Sequence, residues 1–245
     1  MNARRTTLIV VVLTVLAIFL GGTIIAMSTT PHEPDAGPTG NTAPGGPVVA
    51  FYGDSYTLGT GASDPSKRWS TVISAERGWN EVNPSVNGLG FVNNRDRLPE
   101  GGDLVEQVIA AKPDILFITM GLNDNFSMPE RADDIEAAIH RDFTTIRNNL
   151  PRTRIIVVEP FWYTDDRPQS LDTISGWVER EGRAIGADLV PGASHWIEGH
   201  PEWMASDGLH PNDDGYAQIA RRMDEELSRL GLGVPSGTAA PPVSR

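Results

Sequence analysis

The sequence contains no cysteine. That excludes thiol nucleophiles, disulfide frameworks and cysteine-based metal sites. It is also short of positive charge: 20 Lys and Arg stand against 32 Asp and Glu, a formal net charge of -12. A balance of that sign repels phosphate backbones and anionic lipid headgroups, so nucleic acid is not an expected partner. No internal repeat is visible. Histidines are few, and His195, His200 and His210 are too loosely spaced to form a helix-face pair for zinc, so neither metal nor organic cofactor is expected.

What is there begins with Asn2-Ala3-Arg4-Arg5, followed by an uncharged apolar run from Leu8 to Met27. About twenty apolar residues span a bilayer as a helix, and the arginines would stay on the cytoplasmic side. Two readings remain open. Ala26-Met27-Ser28 offers a small-x-small cleavage site, making residues 1–28 a signal peptide, whereas the length of the run favours an uncleaved membrane anchor. Either delivers the remainder outside the cytoplasm. Residues 29–47, rich in Pro, Gly, Thr and Ala, read as a disordered linker, with His32 a bystander; residues 233–245 read as a disordered tail. Between them, residues 48–232 have room for one α/β domain, large enough to bury about 70% of its unfolded surface without disulfides.

Within that domain strand-like and helix-like stretches alternate. Strands are expected at Val48 to Gly53, Asp114 to Met120, Arg154 to Glu159 and Ala187 to Val190, with a short polar one in Trp79 to Val86 as an edge strand can be. Helices are expected over Pro65 to Arg77, Asp103 to Ala111, Ala132 to Asn149, Ser170 to Gly186 and Asp213 to Leu230. Strict alternation implies a parallel sheet covered by helices on both faces.

In such a sheet the loops leaving the strands' C-terminal ends share one rim, where ligands bind. Here those loops carry Gly53-Asp54-Ser55, Asn87-Gly88-Leu89-Gly90, Gly121-Leu122-Asn123-Asp124 and Asp207-Gly208-Leu209-His210-Pro211. One rim thus offers a hydroxyl, backbone amides, a carboxamide, and an imidazole with a carboxylate three residues before it. A serine is a poor nucleophile unless a base, an orienter for the base and oxyanion donors accompany it, and these are the parts that acyl transfer requires. The Gly-x-Ser-x-Gly elbow of α/β-hydrolases is absent, since Thr57 sits where its second glycine would be.

The ordered set of blocks resembles the SGNH, or GDSL-type, hydrolase family. Gly53-Asp54-Ser55-Tyr56 matches the first block with Tyr for the usual Leu, Gly121-Leu122-Asn123-Asp124 the Gly-x-Asn-Asp block, and Asp207-Gly208-Leu209-His210 the Asp-x-x-His block. Asn83 followed by Gly88 fits the remaining block, with Gly90 as a substitute. The resemblance implies a three-layer α/β/α sandwich, flavodoxin-like, around a mostly parallel five-stranded sheet. It implies Ser55 as nucleophile, His210 as base and Asp207 as its orienter, with an oxyanion hole formed by the amides of Ser55 and Gly88 and the carboxamide of Asn123. The expected activity is that of an exported serine esterase acting on short-acyl esters or acetylated carbohydrate. Asp54 and Asp124 are read as bracing neighbours, His140 as part of a solvated helix face, and Trp162, Tyr163, Trp196 and Trp203 as lining a substrate cleft or packing in the core. Two rival functions keep the fold: an O-acyltransferase acting on cell-envelope glycans, and a non-catalytic tethered envelope-binding module.

Overall fold

The computed structural model describes residues 42–233. The apolar run 8–27, most of the expected linker and nearly all of the expected tail lie outside the described residues. Among the described residues no helix is long and apolar enough to cross a membrane.

Five strands, β1 (Val48–Tyr52), β2 (Asn80–Val82), β3 (Ile115–Ile118), β4 (Arg154–Val158) and β5 (Asp188–Val190), form one sheet in the order β2-β1-β3-β4-β5, every pair parallel. The chain is α/β with the flavodoxin-like strand order. The three central strands are buried on both faces and so read as continuous apolar runs. Alternate residues enter opposite cores. Val49, Phe51 and Phe117 pack with Trp69 and Ile73 of α2 (Trp69–Arg77) and with Ile219 and Met223 of α6 (Asp213–Arg229). Ala50, Tyr52, Leu116 and Ile118 face α3 (Leu104–Ala110), α4 (Ala132–Asn149) and α5 (Gln169–Ala184). Three layers result.

The edge strand β2 reads as polar because its polar groups are satisfied internally. Glu81 is buried against Arg68 at 3.2 Å and accepts from Ser70 Oγ and Thr71 Oγ1 at 2.8 and 2.7 Å. Asn83, in the loop after it, is likewise buried, donating to the Thr57 carbonyl at 2.8 Å and to Ser70 Oγ at 3.0 Å. Three expected boundaries move. The helix expected from Pro65 is a 3-10 turn, Pro65–Lys67, broken at Arg68, whose extended backbone (ψ 144) lets α2 begin only at Trp69. The strand expected over Trp79 to Val86 shrinks to three residues. The expected linker does not run unstructured to Pro47: the turn Ala43 to Gly46 is clasped by Asn80, which accepts from the Ala43 amide at 2.8 Å and donates to the Gly46 carbonyl at 2.6 Å.

Candidate active site

The strand order reverses between β1 and β3, and open α/β sheets bind ligands in the crevice at that point. β1 delivers Gly53 there. A Cβ on Gly53 would sit 2.4 Å from Thr119 Oγ1 and 2.6 Å from Thr57 Oγ1, so only glycine lets the chain turn so tightly against β3. Asp54 then caps α1 (Ser55–Leu58), its carboxylate accepting from the Tyr56 amide at 3.0 Å, and Gly59 at φ 92 ends the turn. Ser55 is the first residue of α1. Its amide is one of the donors a helix start leaves without an intrahelical acceptor. Burial pushes the Asp54 carboxyl up to about 7, opposed by the Tyr56 amide.

The loop after β2 contributes Gly88, at φ 69. Its carbonyl accepts from Asn93 Nδ2 at 2.8 Å and Asn94 Nδ2 at 2.9 Å, which fixes the turn. Neither the Ser55 nor the Gly88 amide has an acceptor elsewhere among the described residues. Gly90 differs: its amide donates to the Asn93 carbonyl at 2.9 Å, and a Cβ there would lie 2.5 Å from both Asp124 carboxylate oxygens. Of the two glycines, Gly88 alone borders the cavity described below.

The loop after β3 enters a 3-10 turn, Asn123–Ser127. Asn123 Nδ2 donates to the Leu89 carbonyl at 3.0 Å and reaches Asp54 Oδ2 at 3.3 Å. Its long second bond is the one a substrate oxygen can take over. Asp124 is fully buried and accepts three successive amides, Phe91 at 2.7 Å, Val92 at 2.9 Å and Asn93 at 3.1 Å. Burial pushes its carboxyl up while those amides pull it down. Asp124 therefore ties the Asn123 turn to the Gly88 loop.

His210 and Asp207 come from the loop before α6. His210 Nδ1 lies 2.7 Å from Asp207 Oδ2, and Asp207 Oδ1 accepts the Leu209 and His210 amides at 2.9 and 3.0 Å. The bond from His210, followed by those amides, holds the Asp207 carboxyl down at about 2. An ionised carboxylate can only accept, so Nδ1 carries a proton, and in the neutral imidazole the lone pair is then on Nε2. The loop is anchored by Tyr56, whose hydroxyl donates to the Leu209 carbonyl at 2.7 Å, and by the Ala205 amide on the His210 carbonyl, also at 2.7 Å.

Ser55, Gly88, Asn123 and His210 line one cavity of about 280 Å³, with Tyr56, Thr60, Asn87, Leu122 and Leu209 completing its wall. Asp207 stands behind His210, outside that wall. Of the two readings open for the four aromatics, cleft lining or core packing, the fold takes the second: Trp162 and Trp196 are buried in the core with Phe161, and Tyr163 and Trp203 pack half-buried against it. A larger cavity of about 850 Å³ lies along β5 and α5 and contains none of the site residues. The sequence places Asn87 in a rim loop without a role of its own and gives no sign of Thr60; both line the cavity wall. Their signal is tertiary: Thr60 Oγ1 hydrogen-bonds Asn87 Oδ1. Among the described residues no group of His, Asp and Glu is placed to hold a metal ion.

Comparison with known proteins agrees with this geometry. A family model of GDSL-like lipases/acylhydrolases matches residues 51–218. A GDSL lipase of Mycobacterium tuberculosis is 29% identical, the match covering 76% of this chain and 83% of that protein. Among solved structures, TesA is 19% identical with a TM-score of 0.61, covering 75% of this chain and 99% of its own. A variant of the Geobacillus acetyl-xylooligosaccharide esterase Axe2 is 20% identical with a TM-score of 0.58, covering 76% and 95%. At these identities the solved structures speak to the fold.

Proposed function

This chain belongs to the GDSL-like lipase/acylhydrolase family and is a carboxylic ester hydrolase, and from that premise we propose a route through an acyl-serine intermediate. Ser55 Oγ attacks the ester carbonyl as His210 Nε2 takes its proton. Asp207 keeps Nδ1 protonated and stabilises the imidazolium that forms. The oxygen that gains charge is received by the Ser55 and Gly88 amides and by Asn123 Nδ2, which exchanges its 3.3 Å bond to Asp54 for the stronger acceptor. His210 returns the proton to the departing alcohol. Water then enters, loses a proton to His210, and releases the acid and free Ser55.

The observation that carries this reading is a single cavity walled by Ser55, Gly88, Asn123 and His210, with the imidazole already bonded to Asp207 at 2.7 Å. Its modest volume and its apolar walls, Leu122 and Leu209, support a short acyl group. Ser55→Ala should abolish hydrolysis of a short-chain ester in a protein of unchanged melting temperature. Turnover within twofold of the parent would end the proposal. Running the same assay with an added sugar acceptor separates hydrolysis from acyl transfer, since transfer yields the acylated sugar in place of free acid. The same proposal puts the domain outside the cytoplasm, on the strength of Arg4, Arg5 and the apolar run 8–27. Recovery of the full chain in the cytoplasmic fraction would contradict that placement.

A further inference from the structure

Asn123 Nδ2 carries two hydrogens, and the fold uses both: one goes to the Leu89 carbonyl at 3.0 Å, the other to Asp54 Oδ2 at 3.3 Å. A developing oxyanion must therefore displace one of them. Leu89 is buried, so its carbonyl cannot turn to water instead, and the bond to Asp54 is the one released. How readily it is released depends on the charge of Asp54. A hydrogen bond to an ionised acceptor is about twice as strong as one between neutral groups, so a carboxylate would compete with the oxyanion for the same hydrogen. A neutral acid is the weaker acceptor and yields it.

The surroundings of Asp54 favour the neutral acid. Its carboxyl is buried, and among the described residues no cation acts on it. Asp124, beside Asn123 in the turn Asn123–Ser127, brings a second buried carboxyl to bear on it. Of the two acids, Asp124 is compensated by three amides, whereas Asp54 has the Tyr56 amide and its own. The remaining titratable neighbours are phenols, Tyr56 of α1 and Tyr216 of α6, both pushed up by burial and so uncharged. A carboxylate at this place would stand desolvated without a counter-charge. We propose that Asp54 is a positioning residue whose side chain must be neutral for turnover: as the acid it yields Asn123 Nδ2 to the oxyanion, and as the carboxylate it withholds that donor and sets a negative charge beside the oxygen that is gaining one. This rests on the serine-esterase reading. Asp54 keeps its proton throughout the reaction; the proton that moves is the one Ser55 gives to His210 and His210 gives to the alcohol.

The test measures acetate release from ethyl acetate by the parent chain, Asp54→Asn and Asn123→Ala between about pH 5 and about pH 9. Ser55→Ala is the control for the underlying chemistry, and tryptophan fluorescence at each pH keeps unfolding out of the comparison. In the parent, kcat/KM should climb as the imidazole becomes neutral, then fall at least about tenfold between about pH 7 and about pH 9 as Asp54 ionises, a size the loss of one oxyanion donor allows. In Asp54→Asn, which cannot ionise, the alkaline fall should shrink to under about twofold while the acid limb remains. Asn123→Ala leaves Asp54 no donor to withhold and should also lose most of the fall, which decides the matter even if Asp54→Asn does not fold. A parent whose kcat/KM stays flat above about pH 7, or an alkaline fall that either variant retains in full, overturns the proposal. Turnover that survives in Ser55→Ala would sink the esterase reading instead, a separate and distinguishable failure.

Discussion

Replacing Asp124 by Ala should damage stability and catalysis together, because one buried carboxylate serves three amides. Phe91 and Val92 are buried, so water cannot readily replace the lost acceptor at their amides, whereas Asn93 is half-exposed and can be rehydrated. Each orphaned buried donor costs about 1–3 kcal/mol, and the buried carboxylate's own desolvation is relieved, leaving a net loss of about 2–4 kcal/mol. With a urea m-value of about 2–3 kcal/mol/M for a domain of this size, the unfolding midpoint should drop by roughly 1 M. Asp124→Asn should lose less, since its remaining oxygen can keep the Val92 and Asn93 amides while its NH2 faces the Phe91 amide. Both variants should lower kcat more than they change KM, because the segment they release is continuous with Gly88. Urea denaturation followed by tryptophan fluorescence, with kinetics on a short-chain ester, reads both effects. A midpoint shift under 0.3 M in Asp124→Ala would refute the account of that loop, whatever the activity (a threshold of about 0.3 M is about 0.8 kcal/mol at such a slope).

Three further outcomes follow from the same contacts. Asn123→Ala should lower kcat by about 10²- to 10³-fold with little change in KM, the size of one oxyanion donor; a loss under threefold in steady-state kinetics would remove Asn123 from the hole. Asp54 keeps its proton up to about 7 in the fold and loses it near 3.8 when unfolded, so between those values the native state binds more protons and stability falls as pH rises. Asp54→Asn preserves the cap on Tyr56 and should erase that slope, nominally about 4 kcal/mol across the window; identical pH–stability curves for the two proteins would contradict the buried-acid assignment. Arg95 bonds Asp142, Asp103 and the Phe91 carbonyl, and Asp142 also accepts from the Tyr52 hydroxyl at 2.6 Å. Arg95→Ala should therefore cost about 3 kcal/mol by removing the hydrogen-bonded cation from buried Asp142 and leaving only the exposed Arg141 at 3.9 Å, and adding Asp142→Asn should recover part of it in thermal melts; a double variant no more stable than the single would argue against the pair.

Much of this molecule is legible before folding, for identifiable reasons. Ile115–Ile118 and Arg154–Val158 announce themselves because central parallel strands are apolar on both faces. The four polar loops fall on one rim because parallel strands all end on the same side, so Ser55, Asn123 and His210 could be associated across more than 150 residues of sequence without any distance information. Where long-range partners decide, the sequence is silent. Nothing near Gly90 says that Asp124 will press against it, and that contact is what leaves the cavity wall to Gly88. Nothing near Glu81 says that Arg68, Ser70 and Thr71 will bury it, so β2 looks too polar for a strand. For Trp162 and Trp196 the sequence leaves cleft lining and core packing both open; the fold buries them in the core, Trp196 with its ring 5.9 Å from Phe161.

The claim everything depends on is that the Ser55 hydroxyl is activated by the His210 imidazole that Asp207 orients. Peptide mapping by mass spectrometry after reaction with a fluorophosphonate tests it directly. The account predicts one adduct, on Ser55, forming orders of magnitude more slowly in His210→Ala. An adduct on another serine, or labelling of Ser55 at an undiminished rate without the imidazole, would contradict it.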